Sequence, residues 1–98
     1  MVLAASAARA DAPGADALTR GIRAFEAKKY ETAQKLFDNA ISRGGLSRAQ
    51  TLTTYVDLGV TLVLLGKTRA AERAFEEAAL IDPKFVVPPH SGRQAAQR

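Results

Sequence analysis

Residues 47–83 read SRAQTLTTYVDLGVTLVLLGKTRAAERAFEEAALIDP, and their punctuation divides them into two helices. Ser47-Arg48-Ala49-Gln50 has the form of a capping box, in which the serine hydroxyl and the glutamine side chain satisfy the first free amides. The helix after it runs to Leu65 and stops at Gly66. A second runs from Thr68 to Leu80, with Ala71, Ala74, Phe75 and Ala78 inward and Arg69, Glu72, Arg73, Glu76 and Glu77 outward. Arg73 and Glu77 stand four apart, the spacing of a weak surface pair. Asp82-Pro83 closes the unit, because proline disfavours helical dihedrals in the residue before it.

The same pattern lies upstream. Leu18, Ile22 and Phe25 mark one stripe of a helix over 17–28. Lys28-Lys29-Tyr30 makes a polar turn, and a second helix comes next with Ala33, Leu36, Phe37, Ala40 and Ile41 on one face. Gly44-Gly45 ends it, since glycine enters left-handed backbone without steric cost. Gly21, Ala33, Phe37 and Ala40 recur 38 residues later as Gly59, Ala71, Phe75 and Ala78, and Lys29 recurs as Lys67. A helical hairpin is used twice. Each glycine removes a side chain where the helices of a hairpin cross, the alanines keep the facing surface shallow, and the phenylalanine fills the gap.

Composition agrees. Apolar residues make up 47% of 98, and 20 of them are alanine. Alanine loses no side-chain entropy in a helix, so the class is all-α and one small domain is the limit. There is no cysteine and one histidine, His90, which excludes a disulfide framework, a thiolate or histidine metal site and a cysteine nucleophile. The net charge is +4, yet residues 1–82 carry eleven basic and ten acidic side chains. The excess sits on Lys84, Arg93 and Arg98. A basic helical-repeat protein that associates with nucleic acid is therefore the alternative reading and not the leading one.

The second hairpin resembles the tetratricopeptide repeat: Tyr55, Leu58, Gly59, Leu62, Gly66, Ala71, Phe75, Ala78 and Pro83 stand at that family's spacing. The first is looser. Gly21, Tyr30, Ala33, Phe37 and Ala40 fit, but Arg20 replaces a large apolar residue, Lys28 replaces the turn glycine, and no proline closes the unit. The offset of 38 exceeds the family period of about 34, and the extra residues are expected to enlarge the Gly44–Ser47 turn. The resemblance implies antiparallel hairpins stacked as a short right-handed solenoid over residues 14–83, with hairpins at about 15–43 and 47–82. Residues 1–13 then form a disordered leader or the remnant of an export signal. Residues 84–98 form an extended basic tail, a capping turn or the start of a further helix.

Steps of about 100° along residues 48–67 separate two apolar faces. Tyr55, Leu58, Gly59 and Leu62 form one; Val56, Val60, Val63 and Leu64 form the other, with Thr54, Asp57 and Thr61 between. The resemblance turns the second face into a concave groove, joined there by Leu18, Ile22 and Phe25. These seven are the candidate partner-binding residues. Phe85–Val87, residues 1–13, a second copy, or an external partner could each occupy the groove. Its apolar character suits an apolar or amphipathic peptide and lacks the Lys, Arg and Asn clamp by which some relatives hold a terminal carboxylate. On this reading Val60→Lys abolishes capture while the helices survive, and Phe75→Ala costs about 3–5 kcal/mol through the cavity it leaves.

The expected role is a protein-interaction scaffold or adaptor with a protein, a peptide or a second copy as partner. No enzyme activity, small-molecule substrate, cofactor or metal is expected. Glu76 and Glu77 point about 100° apart and make no acid/base pair, and Gly44-Gly45 comes after a helix rather than a strand. The apolar run from Val56 to Leu65 is about half of the ~20 residues a bilayer requires. Ala8-Arg9-Ala10 before Asp11 has the small-x-small spacing of an export cleavage site. The segment after Pro83 is similar to the stretch beyond the last repeat in bacterial cell-envelope relatives. Periplasm or cell envelope is thus one expected location and cytoplasm the other.

Overall fold

The computed structural model describes residues 12–85. Its regular structure is four helices: α1 (Pro13–Glu26), α2 (Tyr30–Arg43), α3 (Arg48–Leu64) and α4 (Thr68–Ile81). α1 packs on α2 and α3 on α4 as two hairpins, α2 joins them through α3, and α1 also touches α3.

The duplication extends to the backbone. Glu26, Tyr30 and Arg43 end or begin helices 38 residues before Leu64, Thr68 and Ile81 do the same. In the first turn the Lys28 amide donates to Phe25 O (2.9 Å) and the Lys29 amide to Ala24 O (2.8 Å). In the second, Gly66 donates to Val63 O (3.0 Å) and Lys67 to Leu62 O (2.8 Å). Both are Schellman closures, which need a left-handed residue just past the helix. Gly66 takes it at φ 78° and Lys28 at φ 63°. Lys28 therefore bears a steric cost that Gly66 does not.

The core tracks the repeated positions. Ala33, Phe37, Ala40 and Ala78 are fully buried, and Ala71 nearly so. A Cβ on Gly21 would lie 2.7 Å from Phe37 Cε1, and one on Gly59 would lie 2.5 Å from Phe75 Cε1. Each phenylalanine thus lies against a bare stretch of helix. The two differ on their other side: Phe37 is sealed, while Phe75 is half-buried. The full cavity cost expected for Phe75→Ala belongs instead to Phe37.

Several boundaries differ from the sequence reading. α1 starts at Pro13 and not near Ala17, because proline at the first helical position gives up an amide that has no partner there anyway. The Gly14 amide donates to Gly44 O (2.9 Å), tying the start of α1 to the Gly44–Ser47 turn. Tyr30 opens α2 instead of lying in the turn, and its ring meets Phe25 edge-on at 5.4 Å. The capping box is present: Gln50 N donates to Ser47 Oγ (3.0 Å) and Ser47 N to Gln50 Oε1 (2.9 Å). The Arg48 guanidinium donates to the Ile81 carbonyl, fastening the start of α3 to the end of α4. Among the described residues the four-apart ion pair is Asp16–Arg20 at 3.6 Å, not Arg73–Glu77.

These contacts set two expectations for stability. Lys28→Gly should raise it by about 0.5–1 kcal/mol and Gly66→Ala should lower it by about 1 kcal/mol, read from chemical denaturation midpoints. Phe37→Ala should cost about 3–5 kcal/mol and Phe75→Ala measurably less, since only the first leaves a closed cavity.

Candidate functional site

The seven candidate side chains come from α1 and α3. Six of them, Leu18, Ile22, Phe25, Val60, Val63 and Leu64, join one apolar cluster. Val56 is buried outside it. Leu18, Phe25, Val56 and Val60 are buried, whereas Ile22, Val63 and Leu64 keep part of their surface open. The face is thus a covered floor with an open rim. Val60 is 0% exposed, so Val60→Lys places a charge inside the core and cannot separate binding from folding.

α3 explains the burial. Thr54 and every residue from Val56 to Leu62 are buried, because α2, α4 and α1 all pack on this helix. Thr54, Asp57 and Thr61, the polar positions between the two apolar faces, are therefore buried along with them. Thr54 Oγ1 donates to Gln50 O and Thr61 Oγ1 to Asp57 O, each at 2.7 Å, which lets both hydroxyls be enclosed without an unmet donor. The signal was present in the sequence: from Ala49 to Gly66 the only charged residue is Asp57, and a helix so poor in charge is enclosed.

Phe85 does not fill this face. It stacks on Phe75 of α4, with centroids 6.1 Å apart and planes 8° from parallel. Val86, Val87 and residues 1–11, the other proposed fillers from this chain, lie outside the described residues, as does the cleavage-like Ala8-Arg9-Ala10.

A second hollow, of about 340 Å³, opens between α2, α3 and α4. Ile41, Leu58, Leu62 and Ala74 line it together with Gln34, Asp38, Tyr55, Arg73 and Glu77. The Lys67 ammonium donates to Gln34 Oε1 (2.8 Å), linking the second turn to α2. Sequence reasoning did not find this hollow, since Tyr55 and Leu58 read there only as hairpin core. Burial, with the Glu77 carboxylate adding to it, pushes the Tyr55 phenol above its usual value of 10.0. Among the described residues no group of three or more His, Cys, Asp or Glu could hold a metal, and no helix is long and apolar enough to cross a membrane.

The paired turns, the glycine–phenylalanine crossings and the family spacing coincide over residues 15–83, where the family model described as Tetratricopeptide repeat matches the sequence. The chain belongs to the tetratricopeptide-repeat family. That membership suggests a protein–protein interaction module, and such repeats are typically non-enzymatic scaffolds. No curated protein and no solved structure matches the chain significantly.

Tyr55 offers a pH test of the tetratricopeptide hairpin. A raised folded-state value means that the unfolded chain loses the phenolic proton first. Stability is then intact below about pH 10 and falls as pH rises through the folded value. Tyr55→Phe should remove that alkaline loss, and Glu77→Gln should lower the Tyr55 midpoint in a phenolate absorbance titration.

Proposed function

We propose that the chain binds an apolar or amphipathic peptide, or a second copy of itself, through the α1/α3 face. Ile22, Val63 and Leu64 supply the reachable rim, and Leu18, Phe25 and Val60 supply the floor beneath it, with Val56 buried outside that cluster. One observation carries the reading: side chains distant in sequence join a single apolar cluster whose rim stays partly open. An apolar rim rewards a helix that lays its own apolar stripe along it, and offers no cation to a carboxylate. Two hairpins bury little surface alone, which gives contact with another chain a stabilising role as well. The cell envelope is the proposed setting, on the small-x-small pattern before Asp11.

Because the rim is only half-buried, it can be altered without opening the core. In a peptide-display selection against the full chain, recovered binders should carry apolar residues at helical spacing. Val63→Lys and Leu64→Lys should weaken their binding tenfold or more, corresponding to about 1.4 kcal/mol, while the helical circular dichroism persists. Leu80→Lys, at a position 78% exposed on α4, should leave binding unchanged. Sedimentation of the same variants reads the second-copy arm. Equal binding and equal sedimentation for the wild type and both rim variants would overturn the proposal.

A further inference from the structure

The hollow between α2, α3 and α4 has no part in the α1/α3 face. Its floor is apolar: Leu58, Leu62 and Ala74 are buried, and Ile41 is half-buried. Its rim is charged. Asp38 stands on the α2 wall, and Arg73 and Glu77 stand on the α4 wall, all three exposed. None of them belongs to the repeated set of residues that builds the hairpins. Among the described residues the ion pair is Asp16–Arg20, so Asp38 and Arg73 keep opposite charges unpaired on facing walls.

Size and charge select the ligand. A volume of about 340 Å³ lies at the small end of the ~300–1,000 Å³ range of ligand sites. One turn of a helix, ~10 Å across and ~5.4 Å tall, already fills about 420 Å³. A docked helix is therefore too large, and a ligand of amino-acid size is not. One cation against two carboxylates offers no seat to a phosphate or a nucleic-acid backbone, which needs clustered bases. A second copy laying this same hollow over the first would set two concave surfaces face to face and leave a void, which close packing disfavours. Opposite charges on facing walls suit a small molecule that carries both signs itself.

We propose that this hollow binds a free apolar amino acid as its zwitterion. The ligand carboxylate accepts the forked donors of Arg73, and its ammonium donates to Asp38. The ligand side chain lies on Leu58, Leu62 and Ala74, where its apolar surface leaves water. Glu77, whose carboxylate acts on Tyr55, turns away an acidic side chain. The site is separate from the peptide-binding face, and neither reading depends on the other.

Amide nitrogen–proton spectra of the full-length chain, titrated with L-phenylalanine, read the site residue by residue. Saturable shifts are expected at Asp38, Tyr55, Leu58, Leu62 and Arg73. Phenethylamine lacks the carboxylate and phenylpropionate lacks the ammonium. Each should bind about tenfold more weakly, the worth of one charge-assisted hydrogen bond. Arg73→Gln should weaken L-phenylalanine by the same factor and leave phenethylamine unchanged. Asp38→Asn should weaken L-phenylalanine likewise and leave phenylpropionate unchanged. Both positions are exposed, so the rest of the spectrum should stay in place; should either variant disturb it, the comparison of ligands on the wild type decides alone. No saturable shift, shifts confined to Ile22, Val63 and Leu64, or equal binding by all three ligands would overturn the proposal. Equal binding of N-acetyl-phenylalanine amide, which carries neither charge, would also overturn it and give the hollow to a polypeptide segment.

Discussion

The fold depends on a contact made twice, an aromatic ring laid against a helix that has no side chain there. With any Cβ at Gly21 or Gly59, the rings of Phe37 and Phe75 would be approached to 2.7 and 2.5 Å. No pair of carbon atoms tolerates that distance, so the antiparallel helices can approach closely only because those positions are glycine. The approach in turn makes alanine the fitting neighbour, and Ala33, Ala40, Ala71 and Ala78 are buried accordingly. Turn geometry answers the same demand, since the chain must reverse within a few residues to bring ring and glycine together.

Equivalent contacts meet different fates along the stack. Phe37 lies on α2, the helix of the first hairpin that α3 packs against, and it is sealed. Phe75 lies on the last described helix, where Phe85 is its ring partner and a hollow remains beside it. A linear array always has this asymmetry, because each repeat meets only its neighbours and the terminal faces stay open. Position in the stack, not residue type, therefore decides which surfaces are available to a partner. The α1/α3 face obeys the same logic: its centre is used up in joining the hairpins, and only its edge remains accessible.

Much of this was legible in the residues. The capping box at Ser47, the stop at Gly66, the closure at Asp82-Pro83 and the 38-residue offset all act through local backbone chemistry, and all are present. Errors arose where local signals permit more than one outcome. Residues 1–13 read as a leader outside the fold, yet Pro13 is a residue suited to begin a helix, and α1 begins there. Lys28 reads as a defect in the turn, yet it adopts the left-handed conformation, because the two hydrogen bonds of the closure offset the strain. Thr54 and Thr61 read only as polar positions between two apolar faces, and each hydroxyl satisfies itself on a carbonyl one turn back and disappears into the interior.

The sequence by itself determined the four helices of the described residues, the turns that stop them, the pairing of each glycine with its phenylalanine and the family. These rest on spacing, and spacing is a property of the chain. Only the tertiary structure decided that α3 is enclosed from Val56 to Leu62, that Leu18, Phe25, Val56 and Val60 are buried while Ile22, Val63 and Leu64 stay partly open, and that Phe85 goes to α4. The reason is that a helical period marks which sides of a helix are apolar but carries no information about which neighbour covers each side. That is settled only when all four helices compete for the same contacts.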